Sequence, residues 1–367
     1  LYKGVNLKFY TSKNTMKYDF IVATQADPSQ IQLNYKGVDK CFLKDGHLNI
    51  KTSVNTLIEH KPYAYQMING KEKEVRCNFM LKSNVLSFDF PEGYNKDLEL
   101  IIDPVLIFAS YSGAEIGNWG HTSTYDESGH LYGGGVVFGM GYPTTIGSIQ
   151  INYNGGSRDA SISKFSPDGT SLIYSTYLGG IGGDNPHSLI VNNNDDLVIF
   201  GTTTSINFPI TNGAYDDTLR GGFDIFVSII SSDGSALNAS TFVGGMDNDG
   251  LNTSAPLKYN YADEYRGEVI VDANDNVFVA STTISDDFPT TSGVIQPNFM
   301  MGDHNQNACV FKLSPNLDTL IWSTYFGGNM DDAAYSLQFD ELGNILFTGG
   351  TKSWDLPTTP TALNPLL

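Results

Sequence analysis

Cysteine is nearly missing from this sequence: Cys41, Cys77 and Cys309 are the only three in 367 residues. Three thiols are too few for a disulfide scaffold, and no pair has zinc-ligand spacing. Cys41 and Cys77 share the N-terminal region, where they are either a bridge or two separate buried thiols. Positive charge is also scarce, with 21 Lys and Arg against 40 Asp and Glu and a formal net charge of −19. A surface of that sign repels phosphate backbones and anionic lipid heads, which argues against nucleic acid and a membrane face as partners. No apolar run is long enough to span a bilayer. The longest, around Leu98–Ala109, is interrupted by Glu99, Asp103 and Pro104. No charged-then-apolar leader stands at Leu1, so the expectation is of one removed or lying upstream. Charged residues are only 17%, whereas Gly (38), Tyr (20) and Phe (21) are plentiful, a balance that favours β-structure with many tight turns.

What the sequence does have is a repeat. Tyr174-Ser-Thr-Tyr-Leu-Gly-Gly180 returns as Ala239-Ser-Thr-Phe-Val-Gly-Gly245 and Trp322-Ser-Thr-Tyr-Phe-Gly-Gly328. A weaker copy, Phe108-Ala-Ser-Tyr-Ser-Gly113, precedes them, and the offsets are about 66, 65 and 83 residues. The last interval is longer because of an insertion, approximately Leu251–Arg266. After each Gly-containing turn come a short apolar strand, a turn, and a second strand, as in Ser188–Val191 and Leu197–Gly201. The turn positions Gly129, Asp195, Asp275 and Gly343 carry residues that tolerate positive φ. An aromatic-proline or Leu-Pro loop follows (Tyr142-Pro143, Phe208-Pro209, Phe288-Pro289, Leu356-Pro357), since Pro belongs between strands and not inside a sheet. A third strand (Ala160–Phe165, Ile225–Ile230, Ala308–Leu313) then turns at Asp168-Gly169 or Asp233-Gly234 into the Ser-Thr-Tyr strand. In the last copy Leu317 stands where Gly is expected, which implies a turn of different geometry.

Four short antiparallel strands in about 65 residues, repeated in phase, describe a β-propeller blade. The reading is three full blades and a partial fourth over 105–367, with Ile107–Gly113 as an orphan outermost strand. The expectation is that the ring continues beyond this sequence. Residues 1–104 lack the repeat and read as a β-sandwich-like domain. Its candidate strands are Val5–Tyr10, Tyr18–Val22, Gln30–Tyr35, His47–Lys51, Val75–Leu81 and Val85–Phe90. Asp45-Gly46 and Asn69-Gly70 are hairpin signals, and Ala26–Ser29 suits one short helical turn. The fold class is therefore all-β.

With these residues in view, the chain resembles the bacterial proteins with SBBP repeats, named for a seven-bladed β-propeller. The Ser-Thr-Tyr-Leu-Gly-Gly strand end, the Asp340-Glu-Leu-Gly-Asn344 hairpin and the Phe288-Pro-Thr-Thr291 loop carry the resemblance. Tyr2-Lys-Gly-Val5, Tyr18-Asp-Phe20 with Ala26-Asp-Pro28, Pro62-Tyr-Ala-Tyr-Gln66 and Ile102-Asp-Pro104 resemble the domain that usually precedes those repeats. The resemblance implies an exported or surface protein, often part of a larger chain, in some cases a type IX secretion substrate of gliding bacteria. It supplies no catalytic residues.

The six histidines stand singly, without His-Glu-x-x-His or Gly-x-Ser-x-Gly, so catalytic residues are not expected. The metal candidate is Gly245-Met-Asp-Asn-Asp-Gly250, where Asp247, Asn248 and Asp249 offer oxygen ligands of the kind calcium takes. The competing reading is an acidic inter-blade turn, because Asp184-Asn185 and Asp331-Asp332 recur at equivalent places. Calcium is the one cofactor this sequence suggests. Tyr259, Tyr261 and Tyr265 in the insertion, with Trp354 on a proline loop, form the candidate glycan platform. The functional expectation is a non-enzymatic surface module whose propeller serves protein contacts or adhesion. A carbohydrate-binding module is the alternative, and a propeller hydrolase using channel carboxylates is third. Expected partners are proteins or surface glycans, within a larger chain or export complex.

Overall fold

The computed structural model describes residues 2–12, 15–35, 38, 40–44, 46–51, 56–59, 61–82, 84–103, 112–167, 169–300, 306–359 and 361–364. They are nearly all β, in two compact units, Leu1–Ala109 and Ser110–Leu367.

The first unit contains β1 (Val5–Ser12), β2 (Thr15–Val22), β3 (Leu33–Asn34), β4 (Lys40–Lys44), β5 (His47–Lys51) and β6 (Thr56–Glu59). It continues through β7 (Tyr63–Ile68), β8 (Lys71–Val75), β9 (Asn78–Lys82), β10 (Val85–Asp89) and β11 (Leu100–Asp103). Three antiparallel sheets result, ordered β1-β2-β11-β7-β8, β3-β10-β9 and β4-β5-β6. Phe20, Val22, Leu48, Ala64, Leu86 and Ile102, drawn from all three, share one buried cluster. Period-two alternation decides which faces meet, as in β10, where Leu86 and Phe88 are buried and their neighbours are not.

Asn69 and Gly70 make the two-residue turn between β7 and β8, both with positive φ (54° and 77°). Two expected strands come out differently. Val75–Leu81 is broken at Arg76-Cys77, which sends β8 and β9 to different sheets. Gln30–Tyr35 shrinks to β3, because Pro28–Gln30 forms a 3₁₀ turn capped by Asp27, whose carboxylate accepts from Ser29 N at 2.9 Å. Cys41 and Cys77 line this core as free thiols, and burial pushes Cys77 up to about 12.

The second unit holds three four-stranded antiparallel blades. They are β12 (Asn118–Tyr125), β13 (Leu131–Val137), β14 (Asp159–Phe165), β15 (Leu172–Leu178); β16 (Asp184–Val191), β17 (Leu197–Thr203), β18 (Asp224–Ile230), β19 (Leu237–Val243); and β20 (Glu268–Val271), β21 (Val277–Thr283), β22 (Asn307–Leu313), β23 (Leu320–Phe326). A fourth begins with β24 (Asp332–Phe339) and β25 (Ile345–Thr351). Sheet order follows chain order, and the first strands β12, β16, β20 and β24 pack against one another along the inner edge. Phe200, Val227, Val279 and Phe311 belong to one buried cluster shared by adjacent blades, so the blades stack face to face. The expected orphan strand Ile107–Gly113 lies outside the described residues, apart from Ser112 and Gly113.

Gly129, Asp195, Asp275 and Gly343 all adopt positive φ (85°, 63°, 60° and 79°). The Asx residue opening each turn fixes it, for example Asp340 Oδ1 accepting from Asn344 N at 2.8 Å.

The expectation at Leu317 is wrong. Its turn has the same geometry as the glycine turns: Leu317 N donates to Ser314 O at 3.0 Å, as Gly234 N does to Ser231 O at 2.8 Å. Leu317 takes φ 56°. The reason lies in the neighbouring blade. A Cβ on Gly234 would meet Tyr174 Cγ at 2.3 Å, whereas the residue equivalent to Tyr174 one blade on is Ala239. Ala239 and Leu317 lie in one buried cluster, so the leucine fills the space that the tyrosine ring takes in the previous interface.

Candidate functional site

The first strands carry a shared irregularity. Pairing slips by one residue at His121 in β12, at His187 in β16 and at Tyr335 in β24. Each slip is a β-bulge, which re-aims one side chain out of the alternation. In the third blade Gly267 occupies that place with φ 154°, where a Cβ would meet Phe200 at 2.7 Å, and the insertion arrives directly before it.

The insertion contains two 3₁₀ turns, Ala255–Leu257 and Tyr261–Tyr265, the second held by an Asn260–Asp263 capping box. Tyr265 lies 5.6 Å (ring centroids) from both His121 and His187. Arg158 donates to the Tyr265 hydroxyl at 3.2 Å and, through Nε, to Asn185 Oδ1. Beside it Arg266 pairs with Asp263 at 2.5 Å and sits 5.5 Å over the Tyr335 ring, whose hydroxyl donates to Leu257 O at 2.9 Å. The insertion is thus fastened to the bulged residues of three blades.

Burial lowers the His187 pKa to about 3, and the neighbouring His121 adds to the effect. His121 is also lowered, by burial first and then by Arg158, against a hydrogen bond with Pro186 O that raises it. Both rings are neutral near pH 7. His187 Nε2 meets Thr202 Oγ1 at 3.1 Å, while its buried Nδ1 has no protein partner. The arrangement is a packed stack of neutral rings closed by a guanidinium, suited to holding a cap in place.

The residues singled out from the sequence do not gather into one site. Asp247 is exposed, Asn248 Oδ1 accepts from Phe223 N at 2.9 Å, and Asp249 is fully buried. Asp249 accepts from Gly245 N at 2.7 Å, Ser285 Oγ at 3.0 Å and Thr283 Oγ1. Among the described residues no three His, Cys, Asp or Glu side chains are arranged to hold a metal ion. Tyr259 stands 92% exposed and Trp354 65% exposed on separate loops. Tyr265 is packed inward, and the Tyr261 side chain lies outside the described residues. His121, His187 and Tyr335 escape sequence reading as a group because a bulge is a defect in alternation. Their common signal is phase: each is the fourth residue of its first strand.

These features define an all-β chain whose second unit is built of propeller-type blades with an inserted cap on their inner edge. Residues 1–105 match the family described as a domain of unknown function, DUF7948. No curated protein matches the sequence. Among solved structures, an ACO/RPE65 chimera is similar at 9% identity and a TM-score of 0.28, over 83% of this chain and 61% of that one. A europium-containing methanol dehydrogenase is similar at 8% identity and a TM-score of 0.25, over 94% of this chain and 76% of that one. Likeness at those scores carries no argument about this chain. No helix among the described residues is long and apolar enough to cross a membrane.

Proposed function

We propose that this chain is a non-enzymatic binding scaffold of an exported cell-surface protein, in which the blades hold outward-facing loops for contact with a protein partner. The observation that carries the reading is the fastening of the insertion. Its Tyr259 is 92% exposed, while Asp263 accepts from Tyr259 N at 2.7 Å and Tyr265 is anchored between two blades. Large rings presented on a fixed backbone lose little entropy on binding, which is why aromatics dominate contact hot spots. The neutral, packed imidazoles favour a holding role over proton transfer at neutral pH. The SBBP resemblance supports export, with a type IX route as its specific form.

The test is binding of purified chain to cells of the producing organism that lack their own copy. Wild type should bind, protease treatment of the cells should abolish binding, and Tyr259→Ala should weaken it by about tenfold, a loss of roughly 1.4 kcal/mol. Binding unaffected by Tyr259→Ala would count against the insertion as the contact. The second reading, a carbohydrate-binding module, rests on the exposure of Tyr259 and Trp354. It predicts glycan-array signals lost in Tyr259→Ala or Trp354→Ala and binding that survives protease treatment.

A further inference from the structure

The Gly-Gly turns hold a feature that the binding role does not use. Behind the first glycine of each turn, side chains from two consecutive blades meet. A Cβ on Gly179 would lie 2.5 Å from Asp184 Oδ2 and 2.9 Å from Asp159 Cγ. On Gly244 it would lie 2.8 Å from Asp224 Cγ and 2.9 Å from Asp249 Oδ2. On Gly327 the neighbours are Asp332 Oδ2 at 2.6 Å and Asn307 Oδ1 at 2.8 Å. Each pair is therefore within about 6 Å, the range in which like charges disfavour each other's ionisation. All six side chains belong to residues no more than 2% exposed.

Hydrogen-bond donors are unevenly shared within a pair. Asp184 accepts from Gly180 N at 2.9 Å, Ser205 Oγ at 2.9 Å and Thr203 Oγ1, and Asp249 has the equivalent three. These donors lower both carboxyl groups, against a burial that raises them more. The first members have less. Asp224 accepts from two backbone amides, Arg220 N at 2.7 Å and Gly221 N at 3.0 Å. Asp159 Oδ2 accepts from Asn154 N at 2.9 Å and Gln150 Nε2 at 3.3 Å, but its buried Oδ1 meets no donor.

The third repeat carries an uncharged residue at the first position. Asn307, in its hydrogen-bonding orientation, donates to Gln306 O at 3.2 Å and accepts from Met300 N at 3.0 Å. An amide offers a donor and an acceptor without charge, as a protonated carboxyl group does.

We propose that the pairs Asp159–Asp184 and Asp224–Asp249 each hold one proton, which locks their blade interfaces, whereas in the third interface the uncharged Asn307 stands in for the first carboxyl group and faces Asp332. The proton belongs to the pair and not to one residue. Burial raises all four carboxyl groups, Asp159 and Asp249 to about 7, with the facing carboxylate adding to both. Tyr153 and Arg158 face the first pair, and Arg158 favours ionised Asp184; Asp216, Arg220, Cys309 and Tyr325 face the second. Because these groups bind protons more tightly folded than unfolded, the interface stability is full below about pH 4 and lost as pH rises through about 7.

The experiment is carboxyl-carbon NMR of the chain labelled at aspartate, titrated from pH 4 to 9, with Asp159→Asn and Asp224→Asn for assignment. Two titrations near pH 7 are expected, one abolished by each variant. The variants should also melt about 2 °C or more above wild type at pH 8.5 and level with it at pH 5. Every aspartate already ionised at pH 5.5 would overturn the proposal, and this wild-type titration decides even if a variant fails to fold. Calcium raising the pH 8.5 melting point of wild type, but not of the variants, would also overturn it, since the pair would then hold a cation.

Discussion

Leu317 and Gly234 occupy the same turn with the same backbone, and the difference between them is set one blade away. Leucine at positive φ costs about 1 kcal/mol relative to glycine, but Leu317 is fully buried among Ala239 and its neighbours. Leu317→Gly should therefore destabilise by about 2–4 kcal/mol, the cavity outweighing the relieved strain. Gly234→Leu should also destabilise, because its Cβ would enter the Tyr174 ring. Combining Gly234→Leu with Tyr174→Ala reproduces the Ala239–Leu317 pairing and should recover much of the loss. Urea unfolding of the two single variants and the double variant measures this coupling directly. The second glycine of each Gly-Gly turn is fixed by the same kind of contact. A Cβ on Gly245 would lie 2.3 Å from Asp287 Oδ1, and on Gly328 2.3 Å from Asp355 Oδ1.

At the scale of elements, the insertion and the inner strands support each other. Tyr265→Ala should free the cap, seen as faster proteolytic cutting within residues 251–266 while the blades stay intact. It should also move the His121 and His187 titrations up toward the ordinary 6.5, because burial is the main cause of both depressions; histidine NMR follows this.

Repetition made the blades legible in the sequence. A pattern such as Ser-Thr-Tyr-Leu-Gly-Gly, stated once, is ambiguous, but in phase it marks strand, turn and blade together. The N-terminal unit offers no second copy to compare. There, the sequence reading lacks β4, β6 and β7, and Val75–Leu81 reads as continuous although Arg76-Cys77 divides it between sheets. The third strands, and the first strands of the second and fourth blades, also start earlier than their apolar cores suggest. The extra residues, Asp184 and Asp159 among them, are polar yet buried, beside partners that only the fold brings near.

At the scale of the molecule, two opposing pH responses meet between pH 4 and 7. His187 binds its proton less tightly folded than unfolded, so its contribution is full above about 6.5 and is lost as pH falls toward about 3. The carboxyl pairs act in the opposite sense and weaken the blades as pH rises. Stability should therefore peak in mild acid, and His187→Phe should flatten the acid limb alone in melts taken from pH 3.5 to 8.5.

The account's central claim is a resistant blade scaffold that displays an anchored cap on the outside of the cell. Limited proteolysis of intact producing cells tests it most directly. The account predicts release of fragments cut at residues 251–266 from unbroken cells, with the blades on either side left whole. Cutting only after lysis, or digestion of the blades as fast as the insertion, would contradict it.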